Sequence, residues 1–164
     1  MSDELAIREV SLTPTQAFEL TQRDAIALSK SNLIPDYFKN NVVDCIRIVE
    51  ASRVLKAPAT FIAQQIYFVH GKPGWSAKFI ISCINSSPKF RQDLDYEMTG
   101  EGDNLSCRAW TISAKTGQKL VGPSASIAMA KKEGWMTKSG SKWQTMPELM
   151  LQYRAATFFG NTRC

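Results

Sequence analysis

Leu94-Asp95-Tyr96-Glu97-Met98 and Leu105-Ser106-Cys107-Arg108-Ala109-Trp110-Thr111-Ile112 both alternate in polarity, and Gly100-Glu101-Gly102-Asp103-Asn104 between them is turn chemistry. A period of two is the mark of strands buried on one face, so the two runs read as an antiparallel hairpin. Lys115-Thr116-Gly117-Gln118 supplies a second turn before Lys119-Leu120-Val121, which extends the hairpin to a small meander. Upstream, Tyr67-Phe68-Val69-His70 is aromatic and β-branched, and Gly71-Lys72-Pro73-Gly74 predicts a tight reversal at Trp75.

The flanking segments change to helical spacing. Thr15 to Leu28 places Phe18, Ile26 and Leu28 among polar residues, with Thr15 as a candidate cap, and Asn32-Leu33-Ile34-Pro35 breaks the pattern. Val42, Val43, Cys45, Ile46, Val49 and Leu55 predict a helix from Asn41 to Leu55, and a short one follows from Ala59 to Ile66. Phe79, Ile80, Cys83 and Ile84 line one face of a helix opened by Ser76 and closed by Asn85-Ser86-Ser87-Pro88. Ser124 to Glu133 reads as helical, ended by Gly134, and a loop follows to Trp143. Thr145-Met146-Pro147-Glu148 predicts a capping box for a last helix reaching about Phe159. Helices before, between and after an antiparallel meander make an α+β chain. Met1 to Pro14 has no clear period and reads as a loose arm, with residues 15–164 expected to form one core domain, in keeping with a length of 164 residues.

Composition sets further bounds. Hydrophobic residues are 44% and charged residues 21% of the chain, enough for a packed core, which excludes wholesale disorder. No run approaches the roughly 18 apolar residues of a membrane span, and the acidic first ten residues do not have the form of a secretory signal. Cys45, Cys83, Cys107 and Cys164 are widely spaced, so free thiols in a reducing compartment are expected. With His70 as the single histidine and no paired cysteines, a structural zinc site is not expected. His70 itself, at a strand end beside a turn, is read as a structural hydrogen-bonding group.

Charge is unevenly placed. Residues 1–50 carry five basic and eight acidic side chains, residues 51–105 six and five, and residues 106–164 nine and two. The last third is therefore +7 within a chain of +5, the footprint of a surface that meets a polyanion; the alternative is a solvated lysine face. Basic residues are also interleaved with tryptophan. Lys72 and Trp75 flank the first turn, Arg108 and Trp110 share one strand face, and Lys131, Lys132, Trp135, Lys138, Lys142 and Trp143 crowd one segment. Single-stranded nucleic acid calls for this combination, cations along its phosphates and rings under its unpaired bases. At least two of the four tryptophans are expected to be core anchors instead. Arg154 sits on a helix that is apolar almost all round, so it needs a partner: a phosphate, or a carboxylate such as Asp44 or Glu50.

Motifs of covalent chemistry are absent. The chain has no G-x-x-x-x-G-K-[ST] loop, no G-x-S-x-G and no H-E-x-x-H. Asp93, Asp95 and Glu97 alternate and could face one side of a strand as the carboxylates of a small metal-dependent nuclease, or could be the protective charges of an edge strand.

Several runs, in this order, resemble the RecT-like recombination proteins of phages and prophages, single-strand annealing proteins related to the Red beta group. They are Ile66-Tyr67-Phe68-Val69-His70-Gly71-Lys72-Pro73-Gly74-Trp75-Ser76, Cys107-Arg108-Ala109-Trp110, Glu133-Gly134-Trp135, and the run from Ser141-Lys142-Trp143 to Tyr153-Arg154-Ala155-Ala156. The similarity extends from about Ala25 to Phe159. It implies pairing of complementary DNA strands without ATP or any cofactor, on a homo-oligomeric ring or helical filament, in the cytoplasm of a bacterial host. One strand is held by its phosphates in a positive groove with its bases outward, and an annealed duplex results. By position, Lys72, Trp75, Arg108, Lys142 and Arg154 fall where the family presents that groove; Lys131, Lys132, Lys138 and Trp143 join them on the reading of charge and rings. Family members usually run on into further helices and a tail that recruits an exonuclease or a single-strand-binding protein, so a chain ending at Cys164 is expected to bind DNA with weaker filament assembly. The acidic N-terminal half offers neighbouring subunits a head-to-tail contact, so charge reversal among Asp3, Glu4, Glu9 and Glu19 is expected to weaken assembly. The rival expectations are the nuclease and a protein-interaction module that presents its tryptophans to a peptide.

Overall fold

The alternating runs become paired strands. In the computed structural model, which describes residues 12–69 and 71–164, β3 (Asp95–Thr99) and β4 (Ser106–Ile112) lie antiparallel with Glu97 opposite Arg108. On the other side of β4, β5 (Lys119–Val121) and the two-residue β6 (Ala125–Ser126) pair with its two ends. Together with helices on either side in sequence, this makes the chain α+β.

Contacts divide the chain into two compact units, Met1–Gly74 and Trp75–Cys164. In the first, α1 (Pro14–Ser29), α2 (Val42–Leu55) and α3 (Ala59–Gln65) precede β1 (Ile66–Val69), whose partner β2 (Lys72–Trp75) runs into the first residue of the second unit. Helix α1 is capped by Thr13 rather than Thr15: the Thr13 hydroxyl accepts from the Gln16 amide, and the Gln16 side chain accepts from the Thr13 amide at 2.9 Å. Gln16 lies three residues after Thr13, which completes a reciprocal box that Thr15 has no partner to form. The buried face of α1 is Thr21, Ala25, Leu28 and Ser29, whereas Phe18 and Ile26 are exposed. Arg53 of α2 explains part of this choice, because its guanidinium donates to the Thr21 hydroxyl and reaches Asp24 at 2.9 Å, fixing which side of α1 meets α2. The expected arm falls, up to residue 11, outside the described residues, as do His70, Asp3, Glu4 and Glu9.

The second unit is one layer of sheet against helices. Cys107, Ala109 and Thr111 are buried on β4, and Cys107 and Ala109 pack in one core with Ile84 of α4 (Ala77–Asn85) and with Leu151, Ala155, Ala156 and Phe159 of α7 (Pro147–Arg163). The single polar member is satisfied, since the Thr111 hydroxyl donates to the Gln92 carbonyl at 2.8 Å. Cys83 of α4 is exposed, not on the packed face, and all four cysteines are free thiols.

Three boundaries differ from expectation, each because a backbone group had a better partner. Lys72-Pro73-Gly74-Trp75 is a strand, not a turn, because these residues pair back on β1. Ala125 and Ser126 pair with β4 as β6, so α5 (Ile127–Lys132) starts three residues late, with the Ser126 hydroxyl accepting from the Met129 amide at 3.1 Å. The capping box at Thr145 is absent: Thr145 is the last residue of α6 (Lys142–Thr145), and Met146, whose amide donates to the Lys142 carbonyl at 2.7 Å, is the cap of α7 without a side-chain bond. Pro147 still opens α7, where its missing N–H costs nothing, and the helix runs past Phe159 to Arg163.

Candidate nucleic-acid interface

The site is built from the end of α5 downward. Gly134 adopts φ +67°, the Trp135 amide donates to the Ala130 carbonyl at 2.9 Å and the Gly134 amide to the Lys131 carbonyl at 3.1 Å. This double bond pattern is a Schellman ending, which needs a residue at ease with positive φ at the glycine position. It fixes Trp135 as the residue that follows the glycine, three beyond the last residue of α5. The Trp135 carbonyl then accepts from the Ser141 hydroxyl at 2.6 Å, and the same hydroxyl accepts from the Trp143 amide at 3.4 Å at the start of α6. The loop Met136–Gly140 is thereby pinned at both ends, with the Gln144 side-chain amide donating to the Met136 carbonyl.

This frame stacks aromatic and cationic groups in sequence. Trp143 is 5% exposed and packs 5.2 Å from Trp135, rings tilted by 35°. The Arg154 guanidinium of α7 lies 4.0 Å from the centre of the Trp135 ring and 5.9 Å from that of Phe158. Trp135 is thus one partner of Arg154 besides the phosphate or carboxylate that the sequence suggested; a delocalised guanidinium over an indole face is a favourable pairing. Trp135, Lys138, Lys142, Trp143, Met150 and Arg154 line an open depression of about 360 Å³. Among the described residues no carboxylate lines it. Three cations converge around one concavity, a geometry that focuses positive potential and favours an anion.

The remaining candidates lie elsewhere. Lys131 is engaged by both carboxylate oxygens of Asp103 at 2.6 Å, and Lys132 is exposed in the last turn of α5. Arg108 is on the outer face of β4, directly across from Glu97, so its field is partly cancelled. Trp75 is half-buried with its ring 4.9 Å from Phe79, and Lys72 is exposed on β2 in the first unit. Trp110 carries the Lys119 ammonium 4.1 Å from its ring centre. Each of the four tryptophans therefore already has a cation or an aromatic ring as a neighbour, and Trp143, expected at the interface as a stacking surface, is a core anchor that braces it. Asp95 and Glu97 sit on the exposed side of β3, beyond Asp93, and Glu97 is 3.8 Å from the Lys119 ammonium. Among the described residues, no three His, Cys, Asp or Glu side chains come together as a metal site.

Comparison with protein-family models, curated proteins and solved structures finds no match for this chain.

Proposed function

We propose that this chain binds single-stranded DNA and pairs complementary strands by alignment and charge neutralisation, with no covalent step and no nucleotide or metal. The observation that carries this reading is the depression lined by Lys138, Lys142 and Arg154, with Arg154 over Trp135 and no carboxylate among the described residues that line it. Of its two rings Trp135 carries Arg154 and Trp143 is buried, so what it offers a nucleic acid is phosphate contact more than base stacking. A strand bound by its phosphates leaves its base edges free to pair, which is what annealing requires. The resemblance to RecT-like proteins supports the same activity. It adds a homo-oligomeric ring or filament, a partner exonuclease or host single-strand-binding protein, and the bacterial cytoplasm as the place of action.

The test is fluorescence-detected annealing of two complementary oligonucleotides without nucleotide or metal, over a salt titration. Annealing faster than the spontaneous rate, without cleavage products, is the expected result. Removing two phosphate contacts with K138Q and K142Q should make the slope of log affinity against log salt shallower by about 1.4 units, since each contact to a single strand contributes about 0.7. Tight binding with no salt dependence would overturn the reading, and cleavage lost on mutating Asp93, Asp95 and Glu97 would favour a nuclease.

A further inference from the structure

The second unit carries another cationic depression. Pro88, Phe90 and Leu120 form its apolar floor, and Lys89, Lys115 and Arg163 stand around it in an open volume of about 520 Å³. Among the described residues no carboxylate lines it. Its walls are held by backbone bonds: the Ala114 amide donates to the Lys89 carbonyl at 2.8 Å and the Arg91 amide to the Ile112 carbonyl at 2.9 Å, which lays residues 89–91 along the end of β4. The turn between β4 and β5 closes on itself, with the Gly117 amide donating to the Ser113 carbonyl and the Ser113 amide to the Gln118 carbonyl, both at 2.9 Å. Arg163 donates to the Val121 carbonyl at 2.9 Å, which points its guanidinium along the β5 side of α7. Phe90 packs edge-on 5.8 Å from Phe159, tying the floor to the core.

Lys89, Lys115 and Arg163 line one concavity, so their fields add there and favour an anion. Arg154 and Arg163 share α7, and nine residues amount to about two and a half turns and roughly 13 Å of rise, so the two side chains leave the helix on opposite flanks. The contacts agree: Arg154 meets Trp135 beyond α5, and Arg163 meets β5. We infer that the depression of Lys89, Lys115 and Arg163 is a second phosphate site that holds the backbone of a second DNA strand, on the flank of α7 opposite the first strand. This deepens the annealing reading and rests on it. One chain then presents two strands on either side of a single helix, each gripped by its phosphates, and raises the local concentration of one for the other.

The test uses the full chain, isotope-labelled, titrated with a short oligothymidylate that cannot pair with itself. The expected result is movement of the amide signals of Lys89, Phe90, Ala114 and Lys115 together with those of Lys138, Lys142 and Trp143, at two oligonucleotides per chain. In K89Q/K115Q the first group falls silent, the second still moves, and the salt slope becomes shallower by about 1.4 units. Both lysines are exposed, so the variant keeps its fold, checked by unchanged signals elsewhere. Movement confined to Lys138, Lys142 and Trp143, or one oligonucleotide per chain, overturns the second site and leaves the annealing reading intact. Movement confined to the first group upholds a strand site there and overturns the placement of the first strand. Equal movement with inorganic phosphate at the same concentration identifies an adventitious ion only and overturns it, and silence in both groups overturns both proposals.

Discussion

Helix α7 carries an arginine of each depression, so its seat against α4 is the feature to perturb. A β-carbon placed on Gly160 would fall 2.8 Å from Ile80 Cγ2 and 3.7 Å from Ile84 Cδ1. The first distance lies inside van der Waals contact, and Ile80 Cγ2 is attached directly to a β-carbon and has little freedom to yield. Gly160→Ala gains about 0.5–1 kcal/mol from lower backbone entropy in the unfolded chain. Forcing a methyl group into a packed contact costs about 1–3 kcal/mol. The sum is a net destabilisation of about 1 kcal/mol. Tryptophan fluorescence in a urea titration is well suited to measure it, because all four tryptophans lie at or beyond residue 75 and report on the second unit alone. The midpoint should fall with the slope unchanged. In an Ile80→Ala background the obstructing methyl is gone, and the same Gly160→Ala change should stabilise by about 0.5–1 kcal/mol. Stabilisation by Gly160→Ala in the parent chain would refute the claim that close approach of α4 and α7 requires a glycine here.

Four other outcomes follow from single contacts or from burial. A double-mutant cycle of Arg154→Met with Trp135→Leu should give a coupling near 1 kcal/mol by urea unfolding, the value of a half-buried cation over an indole face; coupling near zero would mean the stacking contributes nothing. Ser126→Ala removes the hydroxyl that caps α5 and should cost about 1 kcal/mol in the same assay. Ellman titration of the native chain should find Cys83 and Cys164 reactive and Cys45 and Cys107 silent until denaturant is added. Burial pushes the Cys107 thiol up to about 11 and the Tyr96 phenol up to about 12. Both are held neutral in the fold, so the unfolded chain ionises first. The stability they contribute is complete below pH 9 and is lost as pH rises toward 11 for the thiol and from 10 to 12 for the phenol. A denaturation midpoint flat from pH 9 to 11 would contradict this.

Much of the interface was legible because it is local. Lys138, Lys142 and Trp143 lie within six residues, and Gly134 after two lysines announces the helix ending that sets Trp135. The second depression was not, because Lys89, Lys115 and Arg163 come from three segments that meet only when residues 89–91 dock along β4 and α7 reaches β5. Nothing in their spacing marks them as neighbours.

By itself the sequence determined the class of the fold, since the alternation of Leu94–Met98 and Leu105–Ile112 and the helical spacing around them are properties of neighbouring residues. It likewise determined the helix starts at Asn41 and Ser76, where a side chain caps the amide three residues on. Tertiary structure alone decided which way each face turns. Phe18 and Ile26 match a helical apolar stripe yet lie outside, in part because Arg53 binds Thr21 and Asp24 on the side of α1 that meets α2. Only the fold decided the work of the tryptophans, giving Trp143 to the core and Trp135 to Arg154. A ring's hydrophobic area is fixed by its covalent structure, but what covers its two faces depends on residues remote in the chain.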